Sequence, residues 1–441
     1  MSFRSPIHIA ALLFVFLFVI EINLQTYYLG FADIYWQPVY YLLIATGYLF
    51  VGLSLSKDAE WKARSKDLKI LRYALTLIAC LINGYLVYLS FNLLSEVINT
   101  IEIDPLNSDV LPAIQLYVRR WLAGEWAYAP MEFPGWTVIP NYLPLVWMPF
   151  VVPELLDIDY RWWPWVCFVG YALYYWIKLF LQKDLHPVEY LIKSVVPLFI
   201  IWLLLLYDPT IFGHTAEIMI AVFYLILCET ILSERPWLAA IGIGLCLLSR
   251  YSFGFWLPFY VFVYWWVYGW RPLIYLLTGV AMMVFIFYVI PFLFKDPFVY
   301  QKGMAYYMFS AEGEWVVQNW QPEGSKPYHL SRGFGFAIYI YEYINGDIQF
   351  KLRMIQVLNV LTSLLTISLI FAAFWWLRSR IERKDLFLIF GLKIYLMVFY
   401  SFIHVPYAYL FVLPLLLGLP IFSRIRIWKG LQDGHSMKQL K

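Results

Sequence analysis

Asp104-Pro105-Leu106-Asn107-Ser108-Asp109 opens a polar stretch that closes with Asn141-Tyr142-Leu143-Pro144-Leu145 and ends at Pro149. It holds the densest group of carboxylates in a chain that is otherwise mostly apolar and aromatic, and this contrast decides the fold. Of 441 residues, 62% are hydrophobic, 21% aromatic and only 14% charged. Mean hydropathy is +0.68. Soluble globular domains do not have this composition, so the chain reads as an all-α polytopic membrane protein and the polar stretch as a loop outside the bilayer.

The net charge of +3 is spread over short loops. It therefore bears on membrane orientation and not on a nucleic-acid partner. Cys80, Cys167, Cys228 and Cys246 all lie in apolar runs without CxxC or His-associated spacing, so neither a disulfide framework nor a metal site is expected of them. Ile7 to Ile22 follows only Arg4 and lacks a small-x-small cleavage site, which reads as a retained transmembrane helix and not a signal peptide.

A span needs about 20 residues of low polarity. The candidates are 6–23, 38–55, 74–95, 141–156, 162–181, 189–206, 214–232, 236–249, 254–269, 272–293, 353–377, 386–403 and 407–422. Lys57, Lys62, Arg64, Lys66, Lys69 and Arg72 mark a cytoplasmic loop. Arg378, Arg380, Arg383 and Lys384 mark another, and Arg424, Arg426 and Lys429 place the C-terminus inside. With both termini inside, the number of spans must be even, so about twelve are expected. The weakest candidates are 141–156, interrupted by Pro144, Pro149 and Pro153, and the short 236–249. Two long loops, 96–140 and 294–352, are left for the opposite side. The chain thus divides into an N-terminal two-span hairpin with its basic loop (1–73), a membrane module with the first outer loop (74–293), the second outer loop (294–352) and the C-terminal spans with a basic tail (353–441).

The first outer loop carries a helix signal. Ser108 or Asp109 can cap it, Pro112 falls in its first turn and Gly124 can stop it after Leu122. Val110, Leu111, Ile114, Tyr117, Val118, Trp121 and Leu122 recur at roughly helical spacing, the pattern of a helix lying on the membrane surface.

Few residues have the chemistry for catalysis or anion binding. Asp104 and Asp109 are the leading carboxylates for a general base, ahead of Glu102, Glu125 and Glu132. Asp109 is equally suited to a plain helix N-cap, and Asp104 to a turn before Pro105. Arg250 interrupts an apolar run, where a charge needs a cavity or a partner. Its guanidinium suits phosphate, although snorkelling to the interface accounts for it as well. His214 and His404 stand at span ends. The second loop adds Glu312, Glu314, His329 and Arg332 among Trp315, Trp320, Tyr328 and Phe334, a set that fits a sugar site, a lid or an interfacial aromatic belt. Walker A, GxGxxG, GxSxG and zinc spacings are missing, which argues against a nucleotide-driven pump and against hydrolases of those types.

Ser108-Asp109-Val110-Leu111-Pro112, Arg120-Trp121-Leu122-Ala123-Gly124-Glu125 with Tyr128, and Tyr142-Leu143-Pro144-Leu145 resemble the first outer loop of the GT-C superfamily of integral-membrane glycosyltransferases. Tyr207-Asp208-Pro209 through Glu217, and His404-Val405-Pro406-Tyr407, are similar to outer-end motifs of the same group. The resemblance covers about residues 74–422 in layout, and two extra spans precede it.

It implies inverting, mannosyltransferase-like transfer of one sugar from a polyprenyl-phosphate donor to a lipid, glycan or protein acceptor. Asp109 matches the base position, with Asp104 in reserve. Arg250, His404 and His214 become candidates for the donor phosphate, and Glu125, Tyr128, Tyr142 and Arg332 for substrate contact. A divalent cation (Mg or Mn) bridging carboxylates and phosphate has no sequence signature of its own. The expected setting is a bacterial inner (plasma) membrane with the site facing outside, among membrane lipids and without nucleic acid. The competing expectation is a transporter or flippase of lipid-linked glycans, which would place polar groups near the bilayer midplane.

Overall fold

The computed structural model describes residues 6–31, 34–57, 69–182 and 185–427. Lys62, Arg64, Lys66 and Lys429, on which part of the orientation argument rests, lie outside the described residues. The chain is nearly all helical and integral to a membrane. Its helices are α1 (Pro6–Phe31), α2 (Trp36–Leu55), α3 (Lys69–Thr100) and α4 (Val110–Leu122). After a small hairpin of β1 (Met131–Phe133) and β2 (Trp136–Val138) come α5 (Pro144–Trp147), α6 (Val151–Leu155), α7 (Trp162–Leu181), α8 (Pro187–Tyr207) and α9 (Thr210–Gly213). The second half holds α10 (Glu217–Thr230), α11 (Pro236–Leu247), α12 (Phe253–Tyr268), α13 (Trp270–Val284), α14 (Val299–Gly313), α15 (Ala337–Tyr343), α16 (Ile348–Leu377), α17 (Lys384–Ser401), α18 (Val412–Leu416) and α19 (Gly418–Arg424).

Among the described residues, seven helical stretches are long and apolar enough to cross a bilayer: Ile7–Thr26, Trp36–Leu55, Leu71–Thr100, Trp162–Leu181, Pro187–Tyr207, Trp270–Leu293 and Ile348–Leu377. Local chemistry sets several of their limits. Pro187 and Pro236 stand at the first helical position, where a missing N–H costs nothing. Gly269, at φ +78°, reverses the chain between α12 and α13. Beyond α13, Phe285–Leu293 winds as a π-helix containing Pro291, whose lack of an N–H breaks the α ladder there.

The middle of the bundle is formed by α10 and α17, which are buried on nearly every face, as expected of helices apolar all round. One charged network lies among them. Lys393 on α17 and Glu21 on α1 are 0% and 1% exposed. The ammonium donates to both Glu21 oxygens at 2.8 and 2.7 Å and to the Pro414 carbonyl at 2.6 Å, and the Tyr48 hydroxyl donates to Glu21 Oε2 at 2.7 Å. The N-terminal hairpin is thereby fastened to the C-terminal helices.

Polar contacts gather the helix ends into two groups. In one, Arg72 donates to the carbonyls of Leu179, Phe180 and Gln182 at 3.1, 2.6 and 2.7 Å. Lys178 and Arg424 both pair with Glu229, Arg424 lies 3.2 Å from Asp385, and the N–H groups of Glu382 and Arg383 donate to the Ser56 carbonyl. In the other, Arg161 donates to the last carbonyls of α3, Ile101 and Ile98, at 2.5 and 3.3 Å. Gln25 donates to the Ala408 carbonyl, and the Phe336 N–H to that of Ser401.

Three helices of the bundle are short. At 1.5 Å per residue, α10, α11 and α12 reach about 21, 18 and 24 Å, less than the roughly 30 Å of a hydrocarbon core. Residues 141–155 fold over the ends of α11 and α12: the Leu145 N–H donates to the Leu248 carbonyl and the Tyr251 hydroxyl to that of Asn141. Sequence 141–156 is therefore no continuous span but two short helical pieces, α5 and α6, joined by a 3-10 turn.

Removing one partner from the buried network leaves an uncompensated charge, a loss of about 3–5 kcal/mol. Glu21→Gln is expected to lower the thermal unfolding midpoint of the detergent-purified protein markedly, and Glu21→Leu combined with Lys393→Met to restore most of it. Equal loss in the single and double variants would show that the pair is not what holds these helices.

Candidate functional site

The loop between α3 and α7 brings a carboxylate to the end of the bundle where α3 and α8 finish. Helix α4 ends as expected, with Gly124 at φ +73° and the Glu125 and Gly124 N–H groups donating to the carbonyls of Arg120 and Trp121, the Schellman arrangement. Its apolar face, through Leu111, Ile114, Tyr117 and Val118, is buried against α5 and α6. Protein covers this part of the stripe, while Trp121 and Leu122 at its end stay exposed.

Asp109 stands at the N-cap position but its side chain makes no capping hydrogen bond. Ser108 accepts from the Val110 N–H instead, at 3.4 Å, while its hydroxyl donates to the His214 carbonyl at 3.1 Å and ties the loop to the end of α9. Asp104 behaves as a turn residue, its carboxylate accepting from the Leu106 N–H at 3.0 Å. The Asp109 carboxyl is pushed above the ordinary range by burial, and its charge reaches Tyr142, Tyr306, Glu314, Tyr407 and Tyr409.

Arg250 follows α11 and pairs with Glu217 at the first position of α10. Its charge reaches Tyr142, Tyr307, Tyr400 and Tyr409. Asp109 and Arg250, 141 positions apart in sequence, therefore act on the same two phenols, Tyr142 and Tyr409. Tyr142 is held from both sides, its N–H donating to the Tyr117 hydroxyl at 3.1 Å and its carbonyl accepting from the Tyr128 hydroxyl at 2.8 Å. Tyr128 is a buried support for Tyr142 and not itself part of the open cluster.

The long loop between α13 and α16 completes the group. Glu314, where α14 ends, accepts from the Tyr407 hydroxyl at 3.2 Å and lies 3.6 Å from His329 Nε2. Burial raises its carboxyl, the Tyr407 bond opposes this, and the Asp109 charge raises it further. Burial, with Arg332 nearby, holds His329 down at about 4, so at neutral pH its contact with Glu314 involves a neutral imidazole and not an ion pair. His404 is 8% exposed. Its carbonyl accepts from Trp315 Nε1 at 2.9 Å, its ring meets Tyr307 edge-on at 4.9 Å, and its Nε2 has no hydrogen-bond partner. Burial pushes it to about 4, leaving it neutral.

The remaining sequence candidates fall outside the cluster. His214 faces Asp208, whose charge opposes the depression that burial imposes on it. Arg332 is exposed, donates to the Tyr328 hydroxyl at 2.5 Å and lies 4.1 Å over its ring. Glu125 is exposed beyond the far end of α4, about 20 Å from Asp109 along thirteen helical residues. Sequence reasoning named Glu314 in the second loop and Glu217 at the end of a motif without giving either a role of its own, and it did not select Tyr307 or Tyr409, which acquire meaning only from the chain crossing that brings them together.

The second loop is fastened down and does not have the build of a free lid. A Cβ on Gly333 would stand 1.7 Å from the Pro406 carbonyl oxygen, and one on Gly335 would stand 2.2 Å from Pro406 Cβ. Between these glycines, Phe334 stacks on Tyr41 at 5.0 Å and meets Phe411 edge-on at the same distance.

Compared with protein-family models, with curated proteins and with solved structures, the chain matches none.

Two outcomes test this geometry. Gly333→Ala forces backbone apart at Pro406 and is expected to disturb the Glu314 and His404 side of the cluster, read as altered tryptophan fluorescence and a lower thermal midpoint; an unchanged protein would contradict the close packing. For Asp109 the raised pKa means that the folded state favours the protonated acid. Its contribution is complete below the unfolded value of about 3.9 and declines as pH rises through the higher folded value. Asp109→Asn is therefore expected to be more thermostable than wild type at neutral pH, with the difference vanishing below about pH 4.

Proposed function

We propose that the protein is a glycosyltransferase that moves one sugar from a polyprenyl-phosphate-linked donor to an acceptor on the extracytoplasmic side of the membrane, with inversion at the anomeric carbon. The observation that carries the reading is the convergence of Asp109 and Arg250 on Tyr142 and Tyr409. A carboxylate that makes no capping bond and a guanidinium thus bear on the same two phenols.

In this reading Asp109 takes the proton of the acceptor hydroxyl as that oxygen attacks the anomeric carbon. The bond from that carbon to the phosphate oxygen breaks on the opposite face, and the phosphate leaves with the electron pair. Arg250 offers charge-assisted hydrogen bonds to the leaving group. Neutral His404 offers a hydrogen bond without charge. Asp109 and Glu314 raise the local negative charge, which suits Mg or Mn. Among the described residues no three His, Cys, Asp or Glu side chains form a metal-holding group, so the two carboxylates would leave other coordination positions to water and phosphate oxygens.

Helix ends support the topology. We read twelve passes: α1, α2, α3, α7, α8, α10, α11, α12, α13 with its π-helical extension, α16, α17, and the 408–424 unit. Residues 144–155 are the segment that does not cross. Arg72, Lys178, Arg383, Lys384, Arg424 and Arg426 belong to the end opposite Asp109, which makes that end cytoplasmic by the positive-inside rule. A bacterial inner membrane is the setting we assign. The transporter alternative is less favoured, because Glu21 and Lys393, buried among the helices, are hydrogen-bonded to each other and to their neighbours and are not free to bind cargo.

The test is sugar transfer by the purified protein in lipid nanodiscs, using polyprenyl-phosphate glucose, mannose and galactose as donors. Asp109→Asn is expected to reduce turnover about 10²–10⁴-fold and Arg250→Lys to lose most activity through the lost planar fork, while Asp104→Asn stays near wild type. Full activity in Asp109→Asn would remove it from the role of base.

A further inference from the structure

A continuous row of rings leads from the surface of the second loop into the cluster. Trp320, 67% exposed, meets Tyr328 edge-on at 5.1 Å, Tyr328 meets His329 at 4.9 Å, His329 meets Tyr407 at 4.8 Å, and Tyr407 stacks on Tyr409 at 5.1 Å. All but Trp320 are half-buried. The row starts in the open and finishes at Tyr409, the phenol on which both Asp109 and Arg250 act.

The edges of the row are polar. Glu314, about a third exposed, lies beside His329 and Tyr407, and Arg332 lies over Tyr328. Rings that only anchor a protein in the lipid interface need no carboxylate or guanidinium between them. A lipid chain would be badly served by Glu314. Half-exposed rings with carboxylate and guanidinium groups at their rims suit a ligand having an apolar C–H face and hydroxyls around its perimeter. A pyranose has that shape. The row is also preformed, since Gly333 and Gly335 pack directly on Pro406, next to Tyr407, so little ordering entropy is lost on binding.

We propose that Trp320, Tyr328, His329 and Tyr407 form a stacking platform for a saccharide acceptor, with Glu314 accepting from its hydroxyls, so that the chain end to be extended arrives at Tyr409 beside Asp109. The purpose assigned to the platform rests on the transferase reading, whereas its measurement does not.

The experiment is saturation-transfer NMR on the full-length protein in detergent, with neutral trisaccharides of glucose, mannose and galactose as probes. Transfer from aromatic protons to at least one of the three is expected. Trp320→Ala should weaken that binding about tenfold, Trp320→Phe should retain most of it, and Asp109→Asn should leave it intact. No transfer to any of the three, or equal transfer in wild type and Trp320→Ala, overturns the platform. Sugar transfer to a lipid acceptor that is untouched by Trp320→Ala would also overturn it while sparing the transferase reading. Trisaccharide binding that depends on Trp320, in a protein unable to transfer sugar, would uphold the platform and sink that reading alone.

Discussion

A charge buried in the middle of an apolar bundle must have its counter-charge beside it, and the pairing of Lys393 with Glu21 meets that demand between the first helix of the chain and one of the last. All three ammonium donors are used, on two carboxylate oxygens and the Pro414 carbonyl, and Tyr48 adds a further donor to the acid. Because the partners come from α1, α2, α17 and the α18 turn, correct pairing requires the chain to have closed on itself. Hydrophobic burial is non-directional and offers many ways to stack apolar helices. The buried pair accepts one.

Closure also determines where the bundle has room. With α17 and α10 buried in the centre, α10, α11 and α12 are each shorter than a hydrocarbon core is thick. Freed backbone at such depth is tolerated where protein satisfies it, and the 141–155 segment does this through Leu145 and Asn141. The first loop then descends onto that segment through α4. Residues 141–145 and 248–251 are thus joined where α11 ends and α12 begins, and α4, with Asp109 at its start, packs on the same Pro-rich segment.

The cluster that results is unbalanced in charge. Arg250 is already paired with Glu217, while burial holds Asp109 and Glu314 toward their protonated forms. Such an arrangement costs stability and is typical of sites poised for chemistry. The proposed roles, a base at Asp109 and a saccharide platform leading toward it, use the two features that packing alone leaves unexplained: a carboxylate at a cap position that does not cap, and a row of rings that runs from solvent to Tyr409.

Much of this was legible in the chain itself. Composition and the length of the apolar runs point to a helical membrane protein, since a run of about 20 apolar residues closes its backbone hydrogen bonds within a helix, whereas barrel strands are shorter and alternate in polarity. Pro112 and Gly124 set the limits of α4, because capping chemistry is local, and Asp104 before Pro105 is a turn for the same reason. The three prolines of 141–156 marked it as the doubtful span. Pattern did not say what would cover the apolar face of α4, since lipid and protein look alike to a hydrophobic stripe. Nor did it join Asp109 to Arg250, Glu314 to Asp109, or Glu21 to Lys393. Those pairings lie far apart in sequence and exist only after the helices have packed, so the tertiary structure alone decided them.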